Sequence, residues 1–223
     1  MTLSRSGGFD AAIVDLDGTL VDTVGDFELA LGHALHDLGY TPVSRAFISH
    51  TVGKGTEHLI RRTLAEAGAP ASLYEAADER YRHHYLRING QASLVYPGAA
   101  EGLQALKAMG LKLACVTNKP AAFALPLLEA KGLARWFDLA YGGDAFERKK
   151  PDPMPLLKAC EALGTLPART LMIGDSMNDA QAARAAGCRV ALVRYGYNHG
   201  EPVEAAGADA IVDRIDELPA LMA

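Results

Sequence analysis

The sequence predicts an α/β protein, a doubly wound parallel sheet with a helical domain inserted after its first strand. Two observations carry this expectation. Five short runs, AAIV (11–14), LKLACV (111–116), LMI (171–173), VALV (190–193) and AIV (210–212), are apolar almost throughout, as in parallel strands covered on both faces. Between about Val24 and Tyr96 no convincing strand appears, and helical patterns follow one another instead.

Taken in order, AAIV is the first strand and ends in an acidic loop. The inserted stretch shows three helical faces: Phe27, Leu31, Ala34, Leu35 and Leu38; then Leu59, Ile60, Thr63, Leu64 and Ala67; then Leu73, Ala77, Tyr81, Tyr85 and Ile88. Beyond Pro97-Gly98, Leu103, Leu106 and Met109 mark a helix leading to LKLACV. Pro126 inside the pattern from Ala121 to Lys131 predicts a kinked or late-starting helix. FDLAY (137–141) is a weaker strand. Leu156, Leu157, Cys160 and Leu163 form the next helical face, and Ala180, Ala183 and Ala186 the one after. Gly110, Gly132, Gly164 and Gly187 stand where these helices should stop, because a left-handed residue closes a helix and glycine adopts it without strain. Alternating strands and helices give a Rossmann-like core from 1–22 and 97–223, with the helical insert at 23–96.

The 223 residues suffice for such a core plus a small second unit. Hydrophobic residues at 49% and charged residues at 22% fit a globular chain with a real interior. A net charge of −5 disfavours nucleic acid and anionic membrane as partners. The basic segment RYRHHYLR (80–87) reads as the wet side of an amphipathic helix. Cys115, Cys160 and Cys188 are odd in number and widely spaced, which suggests neither a disulfide framework nor a zinc site. The opening MTLSRSGG has no signal-like apolar stretch, and no run approaches the roughly 18 apolar residues of a membrane span. The reading is a cytoplasmic protein acting on a small molecule, as a monomer or homodimer.

Ligands of open α/β sheets bind beyond the carboxyl ends of the strands. At those ends stand DLDGT (15–19), TNK (117–119), GGD (142–144) with KKPDP (149–153), GDSMND (174–179) and RYGYNHGE (194–201). Asp15, Asp17 and Asp175 on one edge repel each other unless a cation neutralises them, and a hard divalent ion such as Mg²⁺ does so with oxygen ligands. Gly18 permits a sharp turn that presents backbone N–H groups to an anion. Thr117 and Lys150 offer a hydroxyl and a positive charge to phosphoryl oxygens. Each piece alone has an ordinary reading as a turn, a surface lysine or a helix cap. Their ordered recurrence at successive strand ends points to phosphoryl transfer with a carboxylate nucleophile.

DLDGTL (15–20), VTN (116–118), Lys150 in KKPDP and GDSMND (174–179) together resemble the four motifs of the haloacid dehalogenase superfamily in its phosphatase branch, in the right order and over nearly the whole chain. DLDGTLVDT, VGKGTEHLI, KPDPMPLL, GDSMNDAQAARAAG and RYGYNHGE are similar to the phosphoglycolate phosphatase subfamily, whose pattern usually has Asn at Lys54 and Ser at Thr23. The resemblance implies that the insert is a cap closing over the site. It implies Asp15 as nucleophile, Asp17 as acid and then base, and Mg²⁺ on Asp15, Asp175 and the Asp17 backbone carbonyl. Thr117, the Asn118 backbone and Lys150 then hold the phosphoryl oxygens, and Asp179 orients Lys150 or a metal-bound water. Its ordinary alternative is an acid in the first turn of a helix.

In the cap, Gly53 and Lys54 precede a helix start suited to a small carboxylate, with a tight turn and an exposed lysine as the plain alternative. GKGT lacks the spacing of a P-loop. His50, His58 and His199 read as solvated histidines. The expected reaction is hydrolysis of 2-phosphoglycolate. The alternatives are another small phosphate ester (sugar phosphate, nucleotide or pyrophosphate), a sugar phosphomutase, or a phosphoacceptor signalling module without turnover.

Overall fold

The computed structural model describes Leu3 and residues 8–222; the rest of the opening MTLSRSGG segment lies outside the described residues. Along the chain, β1 (Ala11–Val14) and β2 (Val21–Asp22) lead into four helices, α1 (Val24–Asp37), α2 (Arg45–Thr51), α3 (Thr56–Glu66) and α4 (Tyr74–Ile88). The chain returns through β3 (Leu94–Val95), α5 (Ala99–Ala108), β4 (Lys112–Val116), α6 (Ala121–Ala130) and β5 (Leu139–Tyr141). It ends with α7 (Met154–Leu163), β6 (Thr170–Gly174), α8 (Met177–Ala186), β7 (Arg189–Val193), β8 (Ala210–Val212) and α9 (Leu218–Met222).

The main sheet has the order β5-β4-β1-β6-β7-β8, with every pairing parallel. β1 is central, and Ala12 lies opposite both Leu113 and Leu171. Side chains alternate between the two faces, as strand geometry requires. Ala12, Val14, Leu113 and Ile173 pack towards Leu103, Leu106 and Leu127 on one side. Ala11, Ile13, Ala114 and Met172 pack towards Leu156, Cys160 and Ala183 on the other. The three cysteines are buried and free. From β1 the chain builds the sheet first one way, to β4 and β5, and then the other way, from β6 to β8. The strand order therefore reverses at the carboxyl end of β1, where an open sheet leaves a crevice.

The four helices of the insert form a helical cap with its own apolar cluster, in which Phe27, Leu31, Leu35, Ile60, Leu64, Tyr81 and Tyr85 are buried. The cluster is shared with the core: Phe123 of α6 and Tyr197 belong to it. In the basic segment, Tyr81 and Tyr85 are inside while Arg82, His83 and Arg87 are exposed, so the segment is the wet face of α4. Among the described residues no helix is long and apolar enough to cross a membrane.

Several expectations need correction. A strand does fall in the stretch read as strandless: Leu94–Val95 pairs antiparallel with Val21–Asp22. Two residues per strand are too few to show a period. The short helix α2 was also hidden; it is started by Ser44, whose hydroxyl accepts from the Phe47 N–H at 3.2 Å. Met109 and Leu157 are exposed rather than on core faces, at 45% and 42%. Pro126 does not delay α6, which runs from Ala121. Its ring removes the bond to the carbonyl of Ala122, but Ala122 and Pro126 both lie on the exposed face, where water can serve that carbonyl.

The two crossings between core and cap are clamped by one carboxylate. Asp26 is fully buried in α1 and accepts from the N–H groups of Gly90 and Ala92, both at 2.7 Å. Asp26→Ala leaves the part-buried amides of Gly90 and Ala92 without their acceptor. We expect a loss of about 1–3 kcal/mol, from roughly 0.5–1.5 kcal/mol per lost hydrogen bond. Urea denaturation of the variant beside the wild type measures it.

Candidate active site

Asp15 follows β1 directly, and its N–H donates to the Ile173 carbonyl at 2.9 Å, which continues the sheet by one residue. The chain then turns at Gly18, whose φ of 83° places it in the left-handed region. A Cβ there would stand 2.4 Å from Asp175 Oδ2, so the turn requires glycine for both conformation and space. The Gly18 N–H donates to the Val21 carbonyl at 2.9 Å. It is engaged inside the turn rather than presented outward, contrary to the expectation from sequence.

Lys150 joins three elements. Its Nζ lies 2.9 Å from Asp15 Oδ1 and 2.8 Å from Asp179 Oδ1, and it donates to the Val116 carbonyl at the end of β4 at 2.7 Å. The Asp15 contact is a close ion pair without a well-directed hydrogen bond, since Oδ1 has no aligned donor. Asp179 Oδ2 accepts from the N–H of Asp175 and of Ser176 at 3.2 Å, and from the Ser176 hydroxyl at 3.0 Å. This closes a capping box on α8. Asp179 thus caps a helix and holds Lys150 at once, so the two readings of it from sequence are compatible.

Asp175 is held by the Thr19 hydroxyl at 3.0 Å and the Tyr197 N–H at 2.6 Å. The Tyr197 hydroxyl in turn donates to Asp22 and accepts from the Thr23 N–H, tying the loop after β7 to the cap crossing. Thr117 is buried, and its hydroxyl accepts from the Lys119 N–H at 3.2 Å. The Asn118 side chain donates to the carbonyls of Gly53 and Lys150, both at 2.8 Å, a strap between cap and core.

Burial pushes the Asp15 carboxyl up to about 6, against the pull of Lys150 and with a further push from Asp179. Burial, then the charges of Asp179 and Asp15, raises Asp175 well above the usual carboxylate range. Burial works to lower Lys150, but Asp15 and Asp179 overcome it and hold the ammonium above its ordinary value. One oxygen each from Asp15, Asp175 and Asp179 lies within 4.8 Å of the others. Among the described residues, the ammonium groups paired with these four carboxylates, counting Asp17, are those of Lys150 and Lys119. An excess of hard oxygen donors, one of them without an aligned hydrogen bond, suits a divalent cation such as Mg²⁺.

The carboxylate of Asp17 stands apart from that triad. It pairs with Lys119 at 3.0 Å, so a part for Asp17 in holding metal would fall to its backbone carbonyl. Lys119 was missed as a site residue. The residue is 5% exposed, and a lysine after a strand carries no signal of burial in sequence. Tyr197 was missed likewise. Of the cap candidates, Gly53 reaches the site through its carbonyl. Lys54 is exposed and lines neither pocket at the acidic cluster. His199, expected to be solvated, is half-buried against Asn178 and Gly53.

A profile of haloacid dehalogenase-like hydrolases matches residues 12–193, a range that contains Asp15, Asp17, Thr117, Lys150, Asp175 and Asp179. The chain belongs to that family. Among its curated relatives, a phosphoglycolate phosphatase of Nitrosospira multiformis is 46% identical over 215 residues, covering 95% of each chain. One of Thiobacillus denitrificans is 45% identical over 210 residues, covering 93% of this chain and 92% of the relative. A crystal structure from Haemophilus somnus 129PT, described as a predicted phosphoglycolate phosphatase, superposes with a TM-score of 0.92 at 32% identity, over 98% of this chain and 100% of the other.

The raised Asp15 and Asp175 give a signed expectation for metal binding. An acid whose folded pKa is raised adds stability below its unfolded pKa near 4, and that stability is lost as pH rises towards about 6. Above pH 6 the metal-free site carries uncompensated charge, which a cation relieves; below it, protons compete with the cation. Thermal unfolding with and without saturating Mg²⁺ should therefore show a larger rise in Tm at pH 7.5 than at pH 5. An equal or reversed effect would contradict this placement of the metal.

Proposed function

We propose that the protein is a Mg²⁺-dependent phosphomonoester hydrolase that converts 2-phosphoglycolate to glycolate and phosphate through an aspartyl-phosphate. One observation carries the chemistry: a fully buried Lys150 holds Asp15 beside Asp179, while Asp17 lies two residues along the same loop against a pocket. The substrate follows from the phosphoglycolate phosphatases of similar sequence, which match over nearly their whole length.

In this reading an Asp15 carboxylate oxygen attacks phosphorus and the P–O ester bond breaks. Asp17 gives its proton to the departing glycolate oxygen. Water then attacks the phosphorus of the aspartyl-phosphate, Asp17 takes the proton, and phosphate leaves as Asp15 is restored. Thr117, Asn118 and Lys150 bind the phosphoryl oxygens, and Lys150 also fixes Asp15, with Asp179 as its brace. Mg²⁺ held by Asp15, Asp175 and the Asp17 carbonyl would offset the repulsion between the nucleophile and the phosphate dianion. Residues 23–96 act as the cap and residues 1–22 and 97–223 as the catalytic core; closure excludes water during the first step. Free, buried cysteines fit a reducing, cytoplasmic setting.

Phosphate release from 2-phosphoglycolate beside a panel of phosphomonoesters tests the substrate. A kcat/KM of about 10⁴ M⁻¹s⁻¹ or more, well above the panel, is expected. If a sugar phosphate, nucleotide or pyrophosphate is the better substrate, the substrate assignment fails and the hydrolase chemistry stands. Multiple turnovers per chain exclude a phosphoacceptor module. Asp15→Asn and Asp17→Asn should each lose at least about 10³-fold in kcat while their circular dichroism stays that of the wild type. Normal turnover in a folded Asp17→Asn protein would remove the acid–base role.

A further inference from the structure

The pocket against Asp15 and Asp17 is walled by apolar cap and core side chains, Phe27, Val52, Leu59, Tyr81 and Phe123 among them. A single cationic side chain lines it, that of Lys119. A buried ammonium needs a reason, because removing it from water is costly unless it is paired. Here Nζ donates to Asp17 Oδ1 at 3.0 Å and to the Tyr85 hydroxyl of α4 at 2.6 Å. It also sits 4.4 Å and 4.6 Å from the ring centroids of Phe27 and Tyr85. Among the described residues its third N–H has no partner.

We propose that Lys119 binds the carboxylate of the substrate and sets the specificity of the site, an inference that rests on the reading of 2-phosphoglycolate given above. Asp17 must reach the ester oxygen, and Lys119 lies within hydrogen-bond distance of Asp17. In 2-phosphoglycolate the carboxylate is one CH₂ away from that oxygen. A ligand whose ester oxygen meets Asp17 therefore brings its carboxylate to the ammonium. There it takes the free N–H and competes with Asp17 for the lysine, leaving the Asp17 oxygen to the ester. A neutral group in that place leaves the ammonium on Asp17 and gains no charge-assisted bond. The apolar walls offer little to a polyhydroxylated leaving group. The lining also includes Gly55 and Thr56 at the start of α3, which no side chain among the described residues caps. Lys54 and Lys149, the exposed lysines flanking this turn, do not line the pocket.

The test compares Lys119→Met with the wild type on two Mg²⁺-supported reactions, hydrolysis of 2-phosphoglycolate and of ethyl phosphate, which has a leaving group of similar size without the carboxylate. The wild type should favour 2-phosphoglycolate by about 100-fold or more in kcat/KM. In the variant that preference should fall about 100-fold, to near unity, whatever loss is common to both substrates. An equal loss on both substrates would mean that the lysine only positions Asp17, and would overturn the proposal. So would a preference unchanged by the substitution. A wild type that turns over 2-phosphoglycolate no faster than ethyl phosphate overturns both this inference and the substrate reading, whereas the two preceding outcomes leave that reading intact. Should Lys119→Met not fold, Lys119→Gln and the wild-type rate on the amide of 2-phosphoglycolate replace it. The wild type must disfavour the amide by about 100-fold, and equal rates overturn the proposal.

Discussion

The contact on which the site depends is the buried ion triad of Asp15, Lys150 and Asp179. Lys150 reaches from a loop into the space between the ends of β1 and β4 and the start of α8, and each of its three contacts falls on a different element. Burying the two carboxylates without the ammonium would be strongly unfavourable, and the ammonium alone equally so. The triad therefore forms only when the sheet, the loop and the capped helix are all in place. It also fixes where Asp15 stands, because its other constraint is one backbone bond to β6.

Around that centre the structure accommodates an excess of negative charge. Asp175 is surrounded closely enough that neighbouring positions have no room for a side chain: a Cβ on Gly196 would come 2.1 Å from its Cβ. Such tight backbone approach lets N–H and hydroxyl donors, from Tyr197 and Thr19, hold the carboxylate in place of water. The same need accounts for the division of the acids. Asp15, Asp175 and Asp179 share one cluster, and Asp17, which lines the same pocket, pairs with Lys119 instead of Lys150.

The cap is held to this site by polar links as well as by packing. Gly53 accepts from Asn118 and Asn178, Tyr85 accepts from Lys119, and Tyr197 bonds at the entry to α1. The links end on the turn between α2 and α3, on α4 and on the residue before α1. Cap position and the geometry of the carboxylates are thereby coupled.

Most of the fold was legible because its signals are local. Continuous apolar runs mark strands buried on both faces, and glycines mark the ends of helices; the five strong runs and the weaker FDLAY all became parallel strands. The order of Asp15, Thr117, Lys150 and Asp175 at successive strand ends was legible for the same reason, since a parallel sheet brings all its carboxyl ends to one edge. Tertiary structure alone decided the rest. The two-residue pair β2 and β3 has no period to read, and it exists because the two cap crossings run side by side. Lys54 and Lys119 both look like loop lysines in sequence. One stays in water, and the other is buried because Phe27 and Tyr85 of the cap close over it while Asp17 neutralises it. Which lysine is buried depends on contacts between residues 34 and 102 positions apart, and no local pattern carries that information.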